Sequence, residues 1–213
     1  MRKIVLFILS VFLFFNVSAQ TDKKNKSITM GFCYRNLFID MDKLNDLIPI
    51  NESLPLLNSN VRFHGGTLYG DLTNWLSFGF SAYGALNQKS NDYGYTNWSG
   101  AMAGFYADIH KELFKNFYIG TNFTFSCGRF NFSSMNNNGV GINMYTDVFM
   151  PEPGAGIKYV LADKLLLKVD VSTIFSVFET NKNLGTNSDE FVKPKGIMLT
   201  FTVGYKFRSK KKD

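Results

Sequence analysis

Two histidines, His64 and His110, are the residues on which hydrolytic chemistry in this 213-residue chain would depend. Ester or amide hydrolysis needs a nucleophile with a base within hydrogen-bond reach, and that base is usually a histidine oriented by a carboxylate. Ser81 and Ser126 could approach His64, but no sequence motif links them to it. The other reading of His64 is a histidine that faces a polar interior. We therefore predict no catalytic residue and no enzyme, and we keep a His64-based hydrolase as an alternative.

Charged residues of both signs occupy positions that would share the polar face of alternating strands. They are Arg35, Asp108, Glu152, Lys158, Lys168, Asp170 and Lys206. Because an isolated buried ion costs several kcal/mol, these charges must pair with one another if that face is enclosed. Such a set predicts either a polar plug that keeps an interior rigid or a narrow path for ions.

The elements that would position these side chains repeat every two residues. In residues 196–207, apolar side chains alternate with small or polar ones without interruption, so that one strand face is apolar and the other is wet. A strand of about ten residues with two such faces suits a membrane wall. The same alternation predicts eight strands, at about residues 27–35, 60–72, 75–86, 98–110, 116–127, 148–161, 164–175 and 196–207.

Two of these segments are irregular. In the second segment the apolar parity changes at Gly65 and Gly66, which predicts a β-bulge there. In the sixth segment Pro151 and Pro153 lack the backbone donor that a strand ladder uses. Regular pairing of the sixth strand is therefore predicted to begin only at Gly154.

The connections between the predicted strands alternate in length. Short ones fall at residues 72–74, 111–115 and 161–164, and long polar ones at 36–59, 87–97, 129–147 and 179–195. Outer-membrane barrels have short periplasmic turns and long outer loops, and an even strand number leaves both termini in the periplasm. The pattern predicts an all-β fold, an eight-stranded antiparallel up-and-down transmembrane barrel with His110 at its periplasmic end. Trp75 and Trp98 are expected in the aromatic girdles at the two interfaces.

The termini and the composition indicate the cellular compartment of the protein. Arg2 and Lys3 precede an apolar run that ends in small residues at Ala19, as in a secretory signal peptide. The predicted segments are a signal peptide (1–19), a periplasmic segment (20–26), the barrel (27–207) and a basic tail (208–213). The net charge of +6 is concentrated towards the ends of the chain, so no basic stripe indicates nucleic acid. Cys33 and Cys127 fall on opposite strand faces, which predicts two unpaired thiols.

The first long connection carries an amphipathic pattern. Leu37, Met41, Leu44 and Ile48 recur at spacings of four, three and four residues before Pro49. This predicts a short helix on the outer side, either as a lid over the barrel mouth or as a docking surface for a partner protein or lipopolysaccharide. The aspartates at positions 40, 42 and 46 lack the glycine and the distal glutamate of a calcium loop, so no metal site is predicted.

From about residue 27 to residue 207 the chain resembles the small outer-membrane β-barrel superfamily, which includes the OmpA membrane domain and OmpX-like proteins. Ala19-Gln20 and the final strand residues 202–207 (TVGYKF) resemble those of Bacteroidetes-type barrels. The resemblance implies that the barrel-assembly machinery recognises the last strand, whose Tyr205 and Phe207 match the family pattern. The extension 208–213 departs from the free terminal phenylalanine of that family.

These features predict a protein of the cell outer membrane with a structural or surface-interaction role, which presents extracellular loops without catalysis. We expect a monomer with no cofactor and no metal. Its predicted partners are outer-membrane lipid and lipopolysaccharide, the barrel-assembly machinery, and a surface protein bound through the loops. The alternatives are a narrow ion or small-solute pore, a lipid A-modifying barrel enzyme, and a soluble periplasmic carrier of lipid or another ligand with a β-barrel fold.

Overall fold

The computed structural model describes residues 27–39, 41–46, 48, 53–175, 178–183 and 195–208. The predicted signal peptide, the segment 20–26 and the tail after residue 208 lie outside these ranges. One short helix, α1 (Asp42–Asn45), precedes the second strand. The strands are β1 (Ser27–Ile39), β2 (Asn60–Asp71), β3 (Leu76–Asn91), β4 (Gly94–Phe114), β5 (Phe117–Asn136), β6 (Gly141–Leu161), β7 (Leu165–Phe175), β8 (Phe178–Asn183) and β9 (Lys195–Arg208).

The strands pair in one closed antiparallel ring. From β1 to β6 each strand pairs with the next in sequence, β7 joins β6 to β9, and β9 closes the ring on β1. Strand β7 pairs with the last part of β6 and β8 pairs with its first part, so the two share one of eight positions around the ring. The structure confirms the eight-stranded up-and-down barrel, whose ring closes between β9 and β1.

The two ends of the barrel differ. The turns at residues 72–75, 115–116 and 162–164 lie at the end where β1 begins and β9 finishes, which we call the short-turn end. The opposite end, with the connections after β1, β3 and β5, is called the long-loop end. The alternation of connection lengths in the sequence therefore corresponds to a real difference between the two ends.

Side chains alternate between the outer wall and the interior as the two-residue repeat predicts. In β9, Ile197 and Phe207 point outward and are 54% and 51% exposed, whereas Met198 between them is fully buried. The thiols also lie on opposite faces, because Cys33 is buried inside and Cys127 is exposed outside, and both are free. An apolar wall therefore faces outward around the ring, as a lipid solvent requires.

The predicted β-bulge in β2 is wrong. The pairing of β2 with β1 and with β3 runs in constant register past Gly65 and Gly66. Val61 and Phe63 lie on the same inward face as Thr67, and both are fully buried. The apparent change of parity arose because this strand points apolar side chains inward at its long-loop end and outward at its short-turn end.

The predicted start of the sixth strand is also wrong, because β6 begins at Gly141 and passes through both prolines. Pro151 and Pro153 lie opposite residues of β5, and they fall where the pairing of β6 changes from β8 to β7. A missing backbone donor is tolerated where one neighbouring ladder is interrupted, as at a strand edge.

Two of the predicted long loops are extended hairpins. Strands β3 and β4 pair as far as Asn91 and Gly94, and β5 and β6 pair as far as Met135 and Gly141. Since about ten residues span the membrane, strands of 20 and 21 residues carry the sheet well beyond it at the long-loop end. Within the described ranges, no helix has both the length and the apolar character that crossing a membrane requires.

Candidate functional site: the barrel interior and its mouth

The short-turn half of the interior contains a network of buried ion pairs around Asp108. The Asp108 carboxylate lies 3.0 Å from Lys168 Nζ, 3.3 Å from Lys158 Nζ and 3.2 Å from His110 Nδ1. Lys168 Nζ also lies 3.0 Å from Asp170 and donates to the hydroxyl of Tyr106. Because each charged side chain has a partner of opposite charge, the network offsets the free-energy cost of burying these ions in the interior.

A second buried pair lies nearer the middle of the barrel. Arg35 Nη2 lies 2.6 Å from both carboxylate oxygens of Glu152, and Arg35 Nε donates to Thr200 Oγ1 at 3.1 Å. The guanidinium also lies over the ring of Tyr83, with its carbon 4.2 Å from the ring centre. The pair joins β1 to β6 across the lumen, so it fixes two opposite sides of the wall.

A third group lies at the short-turn end. Lys206 Nζ lies 2.7 Å from Asp71, which also accepts hydrogen bonds from Ser77, at 2.7 Å, and from Ser27. Lys206 was among the residues predicted to lie in the interior, whereas Asp71 was not. The strand alternation does contain a signal for Asp71. Leu68 points outward from β2, and Asp71 lies on the opposite face of the same strand, which is the inward one.

The sequence also missed two members of the network. Asn122 Nδ2 donates to Asp170 Oδ1 at 2.6 Å, and His110, at the short-turn end as predicted, also lies beside Asp108. All seven charged residues predicted for the interior do point inward and take part in ion pairs. The polar plug is therefore the better of the two predictions made from these residues.

The centre of the barrel has almost no free space. A cavity of about 20 Å³ remains among residues that include Arg35, Tyr106, Asp170 and Thr202. This volume holds about one water molecule, which is too little for a hydrated ion. At the short-turn end a wider cavity of about 920 Å³ opens between Asp71, His110, Lys158 and Lys206. The interior is thus an open vestibule that ends on a solid centre.

The long-loop half of the interior is apolar, which the sequence analysis did not predict. Trp98 stacks on Phe130 with ring centres 4.6 Å apart, and Phe63 meets both rings edge-on. Trp98 is 1% exposed, so the prediction that it lies in an interfacial girdle is wrong, whereas Trp75 is exposed near the short-turn end. The cluster is completed by Cys33, Leu37, Val61, Tyr83, Met102, Phe132, Met144, Val148, Met150, Ile174 and Met198.

The first long connection covers this apolar cluster. Met41 and Ile48 are 0% and 5% exposed, and Leu54 and Leu57 are also buried against the cluster. Asn45 holds the connection together, because its side-chain oxygen accepts from Leu57 N at 2.8 Å and its side-chain nitrogen donates to Leu57 O at 3.2 Å. Of the two predicted roles for this segment, the arrangement matches the lid over the mouth.

The structure separates the residues that a hydrolase would need. His64 points outward and packs against Tyr34 with ring centres 5.3 Å apart, so the predicted interior position of His64 is wrong. Ser81 and Ser126 point inward and are buried, on the other side of the wall from His64. The described residues hold no group of three or more potential metal ligands.

The fold is shared with several outer-membrane proteins of known structure. Neisserial surface protein A superposes with a TM-score of 0.53 at 10% identity, over 85% of this chain and 96% of that one. A major outer membrane protein from Thermus thermophilus gives 0.52 at 9% identity, over 86% and 99%. The N-terminal β-barrel domain of Pseudomonas aeruginosa OprF gives 0.47 at 14% identity, over 85% and 97%. No family model and no curated protein sequence matches the chain.

The closed ring, the apolar outer wall and these likenesses define the class of small outer-membrane β-barrels. The chain is therefore a protein of the cell outer membrane, and its short-turn end faces the periplasm. This location excludes the soluble periplasmic carrier among the alternatives.

Proposed function

We propose that this barrel is a non-catalytic surface protein, which holds two hairpins rigidly above the outer membrane as a contact surface for a partner protein. The observation that carries the proposal is the solid centre, because the ion-pair network and the apolar cluster together fill the middle and the long-loop half of the barrel. A filled barrel transmits no solute but makes a stiff support.

The tips of the two hairpins form one surface. Asn137 at the tip of the β5–β6 hairpin donates from its backbone to Tyr93 O at 3.0 Å and from its side chain to Asp92 O at 2.7 Å. Tyr93 and Val140 beside these bonds are 61% and 60% exposed. Rigid exposed tyrosines among asparagines and serines suit protein recognition, since they bury much area at little cost in side-chain entropy.

The hairpins, rather than the first connection, are the proposed contact region. The first connection was predicted to be either a lid or a docking surface, and its apolar residues are used as the lid. We also propose that the protein is a monomer. The barrel-assembly machinery would recognise β9 through its Tyr205 and Phe207. We further propose, from the resemblance of the leader and the last strand, that the protein is a Bacteroidetes-type barrel.

The interior gives little support to the pore alternative. The side chains at the centre of the barrel leave a cavity of only about 20 Å³ among them, which is too small for a hydrated ion. The lipid A-modifying alternative depended on His64 with Ser81 or Ser126, and the wall separates these groups. The surface role is the one that the described geometry supports best.

Surface presentation is tested by inserting a specific protease recognition sequence between Asn138 and Gly139. We expect the added protease to cut this variant on intact cells, because the hairpin tip stands above the outer leaflet. The matched control carries the same insertion in the short turn between Lys115 and Asn116. We expect that control to be cut only after the outer membrane is permeabilised, and the reverse pattern of cutting would contradict the proposal.

A further inference from the structure

The lipid-facing wall contains a groove across β1 to β4. Its volume is about 970 Å³, and it is a shallow depression open to the membrane rather than an enclosed pocket. Aromatic and aliphatic side chains form its sides, among them Met30, Phe32, Leu68, Phe80 and Phe105.

The floor of the groove consists of small residues in one row of the sheet. Gly66 pairs with Ala82, which pairs with Ala103, and all three line the groove. The next outward-facing row contains Leu68, Phe80 and Phe105 in the same three strands. The groove is therefore a step in the wall, where large side chains give way to small ones towards the long-loop end.

The glycine of this floor has little close packing above it. A Cβ atom on Gly66 would meet only Gly31 O, at 3.3 Å. By contrast, a Cβ atom on Gly65 or Gly104 would lie 2.0 Å from a carbonyl oxygen of the neighbouring strand. Gly66 thus leaves a depression that a larger side chain can fill once Gly31 O moves by a few tenths of an ångström.

Two nitrogen donors lie at the rim towards the long-loop end. His64 lines the groove and stacks on Phe32 with ring centres 6.4 Å apart, and Arg62 lies two residues further along the same outward face. Along a strand, side chains two residues apart are about 7 Å from each other. Within the described part of the chain, neither Arg62 nor His64 has an ion-pair partner.

We propose that the groove binds lipid A, with one acyl chain on the floor of small residues and a phosphate at Arg62 and His64. The groove opens on the membrane and has apolar sides. An acyl chain can occupy it without any polar group being removed from water. Arginine is well suited to phosphate, because its planar guanidinium can donate two parallel hydrogen bonds. The rim lies where the outward face of β2 becomes polar at the long-loop end, which selects a phosphorylated lipid of the outer leaflet.

The test measures lipid A bound to the full mature chain in phosphatidylcholine nanodiscs that contain defined amounts of lipid A or of phosphatidylglycerol. Two double variants address the two parts of the site. Arg62→Gln with His64→Gln replaces the two side chains at the rim, and Gly66→Leu with Ala82→Leu fills the floor. Gly70→Leu is the matched control, because Gly70 is also an open position on β2, with Ser27 O at 3.7 Å, but does not line the groove.

We expect each double variant to bind lipid A at least about tenfold more weakly than the wild-type chain, which corresponds to about 1.4 kcal/mol. Gly70→Leu should bind as the wild type does, and heat-modifiable migration on a gel should show that every variant is folded. Equal binding of phosphatidylglycerol would overturn the assignment to lipid A. Unchanged binding in both double variants, or chemical crosslinks between two copies through the groove, would overturn the site itself.

Discussion

Replacing Glu152 with glutamine is expected to lower the free energy of unfolding of the barrel by about 3–5 kcal/mol. The change keeps the shape of the side chain but leaves Arg35 charged and buried without its partner. Arg35 Nη1 already has no hydrogen-bond partner, and Asp170, which lines the same central cavity, is already paired with Lys168. Urea unfolding of the variant in lipid vesicles measures the loss.

The control for this prediction is Asp147→Asn, which also removes a carboxylate from an arginine. Arg129 contacts Asp147 at 2.6 Å, but both side chains are about half exposed on the outer wall, so we expect a loss of no more than about 1 kcal/mol. Replacing both Arg35 and Glu152 with methionine should recover most of the stability, because no unpaired charge remains. Equal losses for Glu152→Gln and Asp147→Asn would contradict the buried pair.

Replacing Trp98 with alanine is expected to destabilise the barrel by about 3–5 kcal/mol. The indole is 1% exposed and stacked on Phe130, so its removal leaves a cavity among side chains fixed by the wall and the lid. The midpoint of urea unfolding in vesicles, compared with that of the wild type, measures the effect.

Trp75→Ala is the matched control for the second prediction. Trp75 is 54% exposed at the short-turn end, where lipid can occupy the space that the ring leaves. We expect this variant to lose less than half as much stability as Trp98→Ala. A larger loss at Trp75 than at Trp98 would mean that Trp98 lies in the membrane interface, as its sequence position suggested.

The outer wall could be predicted from the sequence because a single solvent imposes it. Lipid selects apolar side chains at every second position, so the alternation in residues 196–207 was sufficient to assign which face of β9 points outward. The ion pairs followed from the same argument, because charges such as Arg35 and Glu152 occur on the opposite parity and must find partners inside.

The interior at the long-loop end could not be predicted from that alternation. Here Val61, Phe63 and Trp98 point inward and pack under the lid. Apolar residues therefore occur on both faces of the strands, and the two-residue alternation no longer shows which face points outward. The bulge predicted at Gly65 and the girdle position predicted for Trp98 both came from this ambiguity. Only the closure of the ring shows which apolar residues face lipid and which face each other.

The hairpins were missed for a related reason. Asparagine and serine in the 129–147 segment indicate turns and solvent, and a strand that leaves the membrane exchanges lipid for water on its outer face. The sheet nevertheless continues, because β5 and β6 remain paired as far as Met135 and Gly141 and need no apolar face to do so.

The position of Cys127 gives the most direct test of a barrel with lipid outside and a filled interior. In a Cys33→Ser variant, a nitroxide spin label on Cys127 is expected to collide readily with oxygen and rarely with a water-soluble nickel chelate in vesicles, because this side chain faces the acyl chains. A label that the nickel chelate reaches readily, or one that neither reagent reaches, would show that the wall has been assigned the wrong way round.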